Sequence, residues 1–307
     1  MGIKNSNFNR IIDISLSGSS IRYVGSTLGK VSYTKSIVCP RHGRKPEIEI
    51  NGTFTTKDYL PAFNITIKNL YLDLQKEQYT KIKVSCGYAG NVIPIEGTIL
   101  SMYQESPGPD GRTVIQCQAG NLTDWLEANV QLNYKAGTSL TEILGAIKSK
   151  LKAPQVVIGN EARELKIKTG EKFMHDGSAR EAMTKLEKVF EEERLAVFMR
   201  EQTLCAICLT TGDKVGEEVL QYMSAPPQPN TGDERGTYYT TITAPWMPKL
   251  QIGDILTIPS RVYMSNYGMV GLAGTGKTQK IQVTSISFHF GTTGSTNSMT
   301  VQGFMVG

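Results

Sequence analysis

The sequence predicts a mainly β fold with an α+β insert, in which barrel or sandwich domains flank small α+β modules. Three observations carry this expectation. Period-two alternation of apolar and polar residues dominates the first and last parts of the chain. The middle instead holds two stretches with apolar residues at i, i+3, i+4 and i+7, each behind a helix-capping signal. A Pro/Gly-rich polar segment, SAPPQPNTGDERG at 224–236, then separates the middle from the returning β pattern. Three regions follow: a β-rich domain over 1–125, small α+β modules over 126–222, and a C-terminal β region over 223–307 that completes or repeats the first.

In chain order, the first region offers strands at Ile11 to Leu16, Phe63 to Lys68, Lys81 to Cys86, Ile93 to Tyr103 and Thr113 to Ala119. Within Phe63 to Lys68, Phe63, Ile65 and Ile67 share one face while Asn64, Thr66 and Lys68 share the other, so one face is buried. SPGPDGR, Ser106 to Arg112, reads as a hairpin turn, because proline presets φ and Asp-Gly tolerates the tight reversal. In the middle region, Ser139 with Glu142 forms a capping box ahead of Leu140, Ile143, Leu144, Ile147 and Leu151. Ser178 with Glu181 repeats the device ahead of Ala182, Met183, Leu186, Val189 and Phe190, and the extended runs LAVFM and LCAICL follow. The last region offers strands at Tyr239 to Thr243, Asp254 to Ile258, Arg261 to Val270, Lys280 to Phe290 and Met299 to Val306.

A chain of 307 residues with 39% apolar content has enough to bury a large core and exceeds one typical domain. Its 33 basic and 28 acidic residues leave a net charge of +5, with no basic run of the nucleic-acid-arm kind. The sharpest basic cluster, Arg41, Arg44 and Lys45, is followed at once by Glu47 and Glu49, as in a charged loop entering a strand. The start, MGIKNSNFNRIIDIS, has no signal-peptide apolar stretch, and nowhere do about 18 apolar residues run together. Met1-Gly2 with Ser6 matches only the short myristoylation pattern.

The sharpest motif is GLAGTGKT, Gly271 to Thr278, which satisfies the phosphate-loop pattern letter for letter. Its context is wrong for a phosphate, since a nucleotide loop must open a helix whose N-terminus faces the phosphates. Here the alternating QKIQVTSISFHF follows, a strand, and only 29 residues remain after Thr278. A Gly-rich hairpin loop is the expected structure. The five cysteines, at 39, 86, 117, 205 and 208, are odd in number and sit in strand-like surroundings, as reduced cytosolic thiols do. Cys205 and Cys208 form C-x-x-C, but three apart on a strand they face opposite ways. Cys39 with His42 makes half a zinc site with no second ligand pair nearby. His175 and Asp176 read as turn residues before a helix, and nothing in sequence places Glu96 beside Glu105 as a carboxylate pair. No catalytic, cofactor-binding or metal-binding residue is expected, and no cofactor.

Three segments carry a family resemblance. VSCGYAGNVIPIEGTILSM, Val84 to Met102, resembles a hairpin of the baseplate hub proteins of contractile phage tails and related injection systems; TVIQCQAGNLTDW follows it. KAGTSLTEILGAI, Lys135 to Ile147, is similar to that family's turn opening a small helix. APWMPKLQIGDILTIPS, Ala244 to Ser260, resembles its late proline-bounded turn with a Gly-Asp pair before a strand. The resemblance implies tube-like β domains, α+β domains outside a ring, and a non-enzymatic subunit that trimerises to match a sixfold tail tube. The implied partners are two further copies of the chain, the tail tube protein, the central spike protein, neighbouring baseplate or wedge proteins and a tape measure protein. The implied location is the virion's tail baseplate, after synthesis in the host cytoplasm. At this length an attached spike or lysozyme domain is not expected. The competing reading is a carbohydrate- or receptor-binding β module, which needs a surface aromatic cluster, whereas Trp125 and Trp246 lie far apart and each borders a turn.

Overall fold

The computed structural model describes residues 10–24, 27–38, 47–57, 61–68, 79–88, 91–105, 111–120, 128–153, 155–200, 202–220, 222–223, 228–230, 239–266, 269–274, 276–291 and 297–306. Cys39, His42, the Arg41–Lys45 cluster, Trp125 and the myristoylation pattern lie outside the described residues.

The first region forms β1 (Arg10–Val24), β2 (Thr27–Val38), β3 (Ile48–Thr55), β4 (Ala62–Lys68), β5 (Tyr79–Tyr88), β6 (Asn91–Glu105) and β7 (Arg112–Ala119). The middle holds β8 (Asn129–Tyr134), α1 (Leu140–Leu151), β9 (Gln155–Ile158), α2 (Asn160–Glu164), β10 (Phe173–Ser178), α3 (Ala179–Val189), β11 (Leu195–Arg200) and β12 (Thr203–Cys208). The last part contributes β13 (Glu217–Val219), β14 (Tyr222–Met223), β15 (Gln228–Asn230), β16 (Tyr239–Pro245), β17 (Ile255–Ile258), β18 (Arg261–Asn266), β19 (Met269–Gly274), β20 (Gln279–Gly291) and β21 (Ser298–Val306).

The fold is mainly β with small α+β modules. Thirteen strands form one sheet in the order β15-β16-β21-β20-β3-β4-β7-β6-β5-β1-β2, with β17 alongside β20 and β13 alongside β17. A twisted sheet this wide curls rather than lying flat. Its centre joins the two ends of the chain: β20 pairs antiparallel with β3, from Ser285 opposite Thr55 to Gly291 opposite Glu49. The alternating apolar residues of these strands, among them Ile14, Ile50, Phe63, Ile65, Ile115, Phe288 and Phe290, form one continuous core. Phe63, Ile65 and Ile67 are fully buried, as the alternation requires.

The middle region builds its own core of helix stripes on strands. Leu140, Ile143, Leu144, Ile147 and Leu151 of α1 are buried, as are Ala182, Met183 and Leu186 of α3. Ser178 and Glu181 form the complete reciprocal capping box, whereas at α1 Ser139 accepts from the Glu142 amide without the return bond. The β11–β12 pair, joined by a parallel β9, is buried on both faces. Ala196, Phe198, Cys205 and Ile207 face the large core, while Val197, Met199, Leu204 and Cys208 face the helices. Cys205 and Cys208 therefore point to opposite sides, as strand geometry demands.

Four expectations need correction. Arg261 to Val270 is not one strand: it breaks into β18 and β19, which pair as a hairpin from Arg261 opposite Gly274 to Asn266 opposite Met269. The polar segment at 224–236 contains β15, whose Pro229 suits an edge strand because it has no N–H to give a further neighbour. His175 and Asp176 are strand residues of β10, paired with Leu132 and Gln131. GLAGTGKT is not a hairpin loop: Gly271 to Gly274 end β19, and the chain then crosses to another sheet, entering β20 at Gln279. Gly276 takes φ +82° in that crossing, a conformation that favours glycine. The strand expected after Thr278 is present, so no helix N-terminus follows the motif. The turn within SPGPDGR lies mostly outside the described residues, but Glu105 opposite Arg112 closes the β6–β7 hairpin across it.

Candidate functional site

The side of the large sheet opposite its core is polar from strand to strand, and the pairing registers align its side chains in rows. One row runs His289 on β20, Asn51 on β3, Asn64 on β4, Gln116 on β7 and Ser101 on β6. His289 Nδ1 donates to Asn51 Oδ1 at 2.5 Å, and Ser101 donates to Gln116 Oε1 at 2.6 Å. A neighbouring row places Ser287 opposite Thr53, their hydroxyls 3.1 Å apart. Hydroxyl and amide groups thus satisfy one another laterally and leave further lone pairs and protons for water.

One charged group lies where β3, β4, β7 and β6 share an end. Lys68 of β4 and Arg112 of β7 are directly opposite each other. Glu47 accepts from Lys68 Nζ at 2.7 Å with Glu49 at 3.9 Å, and Glu105 of β6 lies 2.6 Å from Arg112 Nε. The Glu47 hydrogen bond holds the Lys68 ammonium above its usual pKa. Toward the opposite end of β6, Lys83 of β5 faces Glu96 at 2.9 Å. With Lys81 and Asp13 included, the described side chains of β1 and β3–β7 on this side, together with Glu47, hold four cations and five carboxylates, a net charge of −1. Glu96 and Glu105 stand nine positions apart on β6, roughly 30 Å at strand rise, so they make no carboxylate pair.

A β-bulge interrupts the polar surface. Ile99 pairs with Cys117 and Ser101 with Gln116, so Leu100 is the extra residue, 60% exposed, with Tyr103 exposed nearby. Three positions before it, Gly97 lets β6 approach the end of β7, where an added Cβ would lie 2.5 Å from Gln118 O.

A second polar cluster joins the middle region to the sheet. Arg200 at the end of β11 donates to Asp254 Oδ1 at 2.5 Å and also to Gln251 Oε1, while Asp254 Oδ2 accepts from the Gln251 amide at 2.9 Å. Burial pushes the Asp254 carboxyl up from the usual range, against the opposing pull of Arg200. Gln282 of β20 donates to Cys208 O at 3.0 Å and Asp213 O at 2.7 Å, and accepts from the Thr210 amide at 2.6 Å. Asp213 in turn accepts from the amides of Glu161, Ala162 and Cys208, capping α2 from a distant loop. Gly159 precedes that helix because a Cβ there would lie 2.4 Å from Asp213 Cγ. All of these groups are spent on one another, which makes the cluster a structural joint. Sequence reasoning missed it except for Gly253-Asp254, quoted for the resemblance. Gly253 takes φ +83°, and its Cβ position would be 2.6 Å from the Phe198 ring.

Burial pushes the thiols of Cys86, Cys117, Cys205 and Cys208 up to about 12, leaving them poor nucleophiles at neutral pH. Among the described residues, no three His, Cys, Asp or Glu side chains gather as a metal site. Trp246 is buried, its ring tilted against Phe288 and Phe290 with centroids 4.4 and 6.2 Å away, and so supplies no surface platform for a sugar.

Neither a protein-family model nor a curated protein matches the sequence. Solved structures do share the fold. A tail protein from Neisseria meningitidis MC58 superposes with a TM-score of 0.53 at 10% identity, covering 97% of each chain. The 43 kDa tail protein of prophage MuSo2 from Shewanella oneidensis gives 0.51 at 9% identity, over 96% of this chain and 99% of that one. The E. coli c3393 protein gives 0.54 at 10% identity, over 85% of this chain and 74% of that one. That protein is described as a type VI secretion component with structural similarity to the T4 bacteriophage tail proteins gp27 and gp5. At these identities the likeness is one of fold.

Proposed function

We propose that this chain is a structural baseplate hub subunit, three copies of which form a ring joining a tail tube to a central spike and helping the tail assemble. The observation that carries this reading is the single curled sheet to which both β regions contribute through the β3–β20 ladder, with a polar side opposite its core. The fold shared with tail proteins over nearly the whole chain supports it. In this reading 1–125 and 223–307 are the tube-like parts, and 126–222 packs outside the ring. Three copies of two β regions present six tube-facing units, which removes the mismatch with a sixfold tube. The polar rows line the channel, since an apolar wall of that extent would aggregate before assembly. Its partners are the tube, spike, wedge and tape measure proteins, its place is the tail baseplate of the virion, and its role is not enzymatic.

Native mass spectrometry with electron-microscopic class averages of the purified protein tests the assembly. A three-subunit ring around an axial channel is the expected result. A compact monomer under all conditions would instead favour a binding module, and a ring without threefold symmetry would remove the hub assignment.

A further inference from the structure

The large sheet contains one five-strand arrangement twice. β3-β4-β7-β6-β5 and β15-β16-β21-β20-β17 are both antiparallel throughout and share a register. In each, one strand carries a single bulged residue, Leu100 on β6 and Thr284 on β20. Five cross-strand pairs follow the bulge, Ser101–Gln116 to Glu105–Arg112 in the first and Ser285–Gln302 to His289–Ser298 in the second. Counting outward from those pairs, Asn64 matches Thr241, and then Asn51, Gly52 and Thr53 of β3 match Gln228, Pro229 and Asn230 of β15. On the other flank Ile82 and Val84 match Leu256 and Ile258, all of them buried.

The two arrangements differ in what covers the strand past its bulge. β17 lies beside β20 only as far as Gln282, and β3 takes over from Ser285 to Gly291. β5 lies beside β6 only as far as Thr98, and among the described residues no strand takes over beside Ser101 to Glu105. Exposure follows this difference. Thr284, whose carbonyl accepts from the Thr56 amide at 2.9 Å, is 7% exposed, whereas its match Leu100 is 60% exposed and Tyr103 41%. β15, the match of β3, stands at the end of the sheet with β16 as its one described neighbour. The chain thus presents an uncovered stretch of β6 and, at the sheet's far end, a copy of the strand that covers the equivalent stretch of β20.

We infer that β15 of one copy adds to the open edge of β6 in the next, repeating between chains the β3–β20 ladder made within each chain. The inference rests on the ring reading and assigns the strands that close the ring. The register follows from the matched pairs: Asn230 stands opposite Tyr103 of the next copy, Pro229 opposite Gln104 and Gln228 opposite Glu105, as Thr53, Gly52 and Asn51 stand opposite Ser287, Phe288 and His289. Different edges meet in this contact, so it is heterologous and closes when the rotation between copies does. Pro229 offers its carbonyl but no N–H, and the matched stretch of β15 is three residues long against seven pairs in the internal ladder. The joint between copies is therefore the weaker of the two, as suits one that forms after each chain has folded.

The test is disulfide trapping in the full-length protein, with oligomeric state read by native mass spectrometry on the same samples. Thr53→Cys/Ser287→Cys controls for geometry, because those hydroxyls lie 3.1 Å apart within one chain and the thiols replacing them should join even in a monomer. Tyr103→Cys/Asn230→Cys should instead link copies and run as a covalent trimer without reductant. Each single variant should link nothing, and the two single variants mixed should give dimers at most. Moving one thiol by one position, as in Gln104→Cys/Asn230→Cys, turns it to the other face of the sheet and should cut the trapped trimer at least about tenfold. Equal trapping in that shifted variant overturns the register and with it the inference. A ring that yields no covalent trimer overturns the pairing and leaves the hub reading standing. No ring and no link sinks both, whereas linked open chains in place of closed trimers sink the hub reading alone. If the double variant fails to fold by circular dichroism, Leu100→Asp carries the test. It changes a side chain exposed in the single chain, so the monomer should keep its melting temperature while the ring is lost. A ring that survives Leu100→Asp overturns the pairing.

Discussion

Arg200 and Asp254 show how one pair of side chains fixes a region's position. Asp254 is 2% exposed and Arg200 20%, so each charge has lost most of its water and depends on the other. Replacing Arg200 by Ala should cost about 3 to 5 kcal/mol, the usual penalty for leaving a buried charge uncompensated. The pH dependence has a definite sign. Burial already raises the Asp254 carboxyl above its ordinary value, so the folded protein holds that proton more tightly than the unfolded chain does. Stability from this group therefore falls as pH rises through the carboxylate range, and loss of Arg200 steepens the fall. Urea denaturation at about pH 4.5 and pH 7 should show the larger deficit of the variant at neutral pH; a deficit that grows on acidification contradicts this account. Apart from Gly253-Asp254, this joint was not legible in sequence. Arg200 finds its partner 54 positions away and Gln282 its partners 69 to 74 away, and no local pattern signals such pairs. By contrast, the opposite orientation of Cys205 and Cys208 needed only the period of a strand.

At the scale of elements, the helices were the most legible parts, because cap and stripe are local properties. Leu144 sits fully buried in the α1 stripe. Its replacement by Ala should destabilise by about 2 to 5 kcal/mol, read by thermal or chemical unfolding. A change near zero would mean that the stripe meets no core in solution. The short α2 escaped sequence reading because its capping oxygen comes from Asp213, 51 and 52 residues downstream of the amides it accepts from. The β18–β19 break escaped because an alternating run looks the same whether it continues or folds back on itself. GLAGTGKT shows the reverse case, a motif whose letters mislead and whose neighbours correct it. Calorimetry with magnesium and ATP or GTP should record no saturable heat, for wild type and Lys277→Ala alike. Micromolar binding abolished by that substitution would restore a nucleotide site.

For the whole molecule, alternation located most strands of the large sheet but could not reveal their spatial order. β3 lies between β4 and β20, and nothing in either sequence segment names the other. Since Phe288 and Phe290 sit in the same core as Ile50 and Phe63, a fragment ending at residue 278 should lack a stable β core despite containing all of the first region. Limited proteolysis of that fragment checks this, and a protected core spanning β3 to β7 would show that the first region folds alone. The β3–β20 ladder also sets a timetable for the nascent chain. Thr53 and Ser287 are 234 residues apart, so the ribosome needs about 10 to 50 s after making one to supply the other. Until β20 is made the β3 side has no partner there, and an uncovered strand can recruit the wrong neighbour. The last strands to be made are thus also the ones that cover that edge.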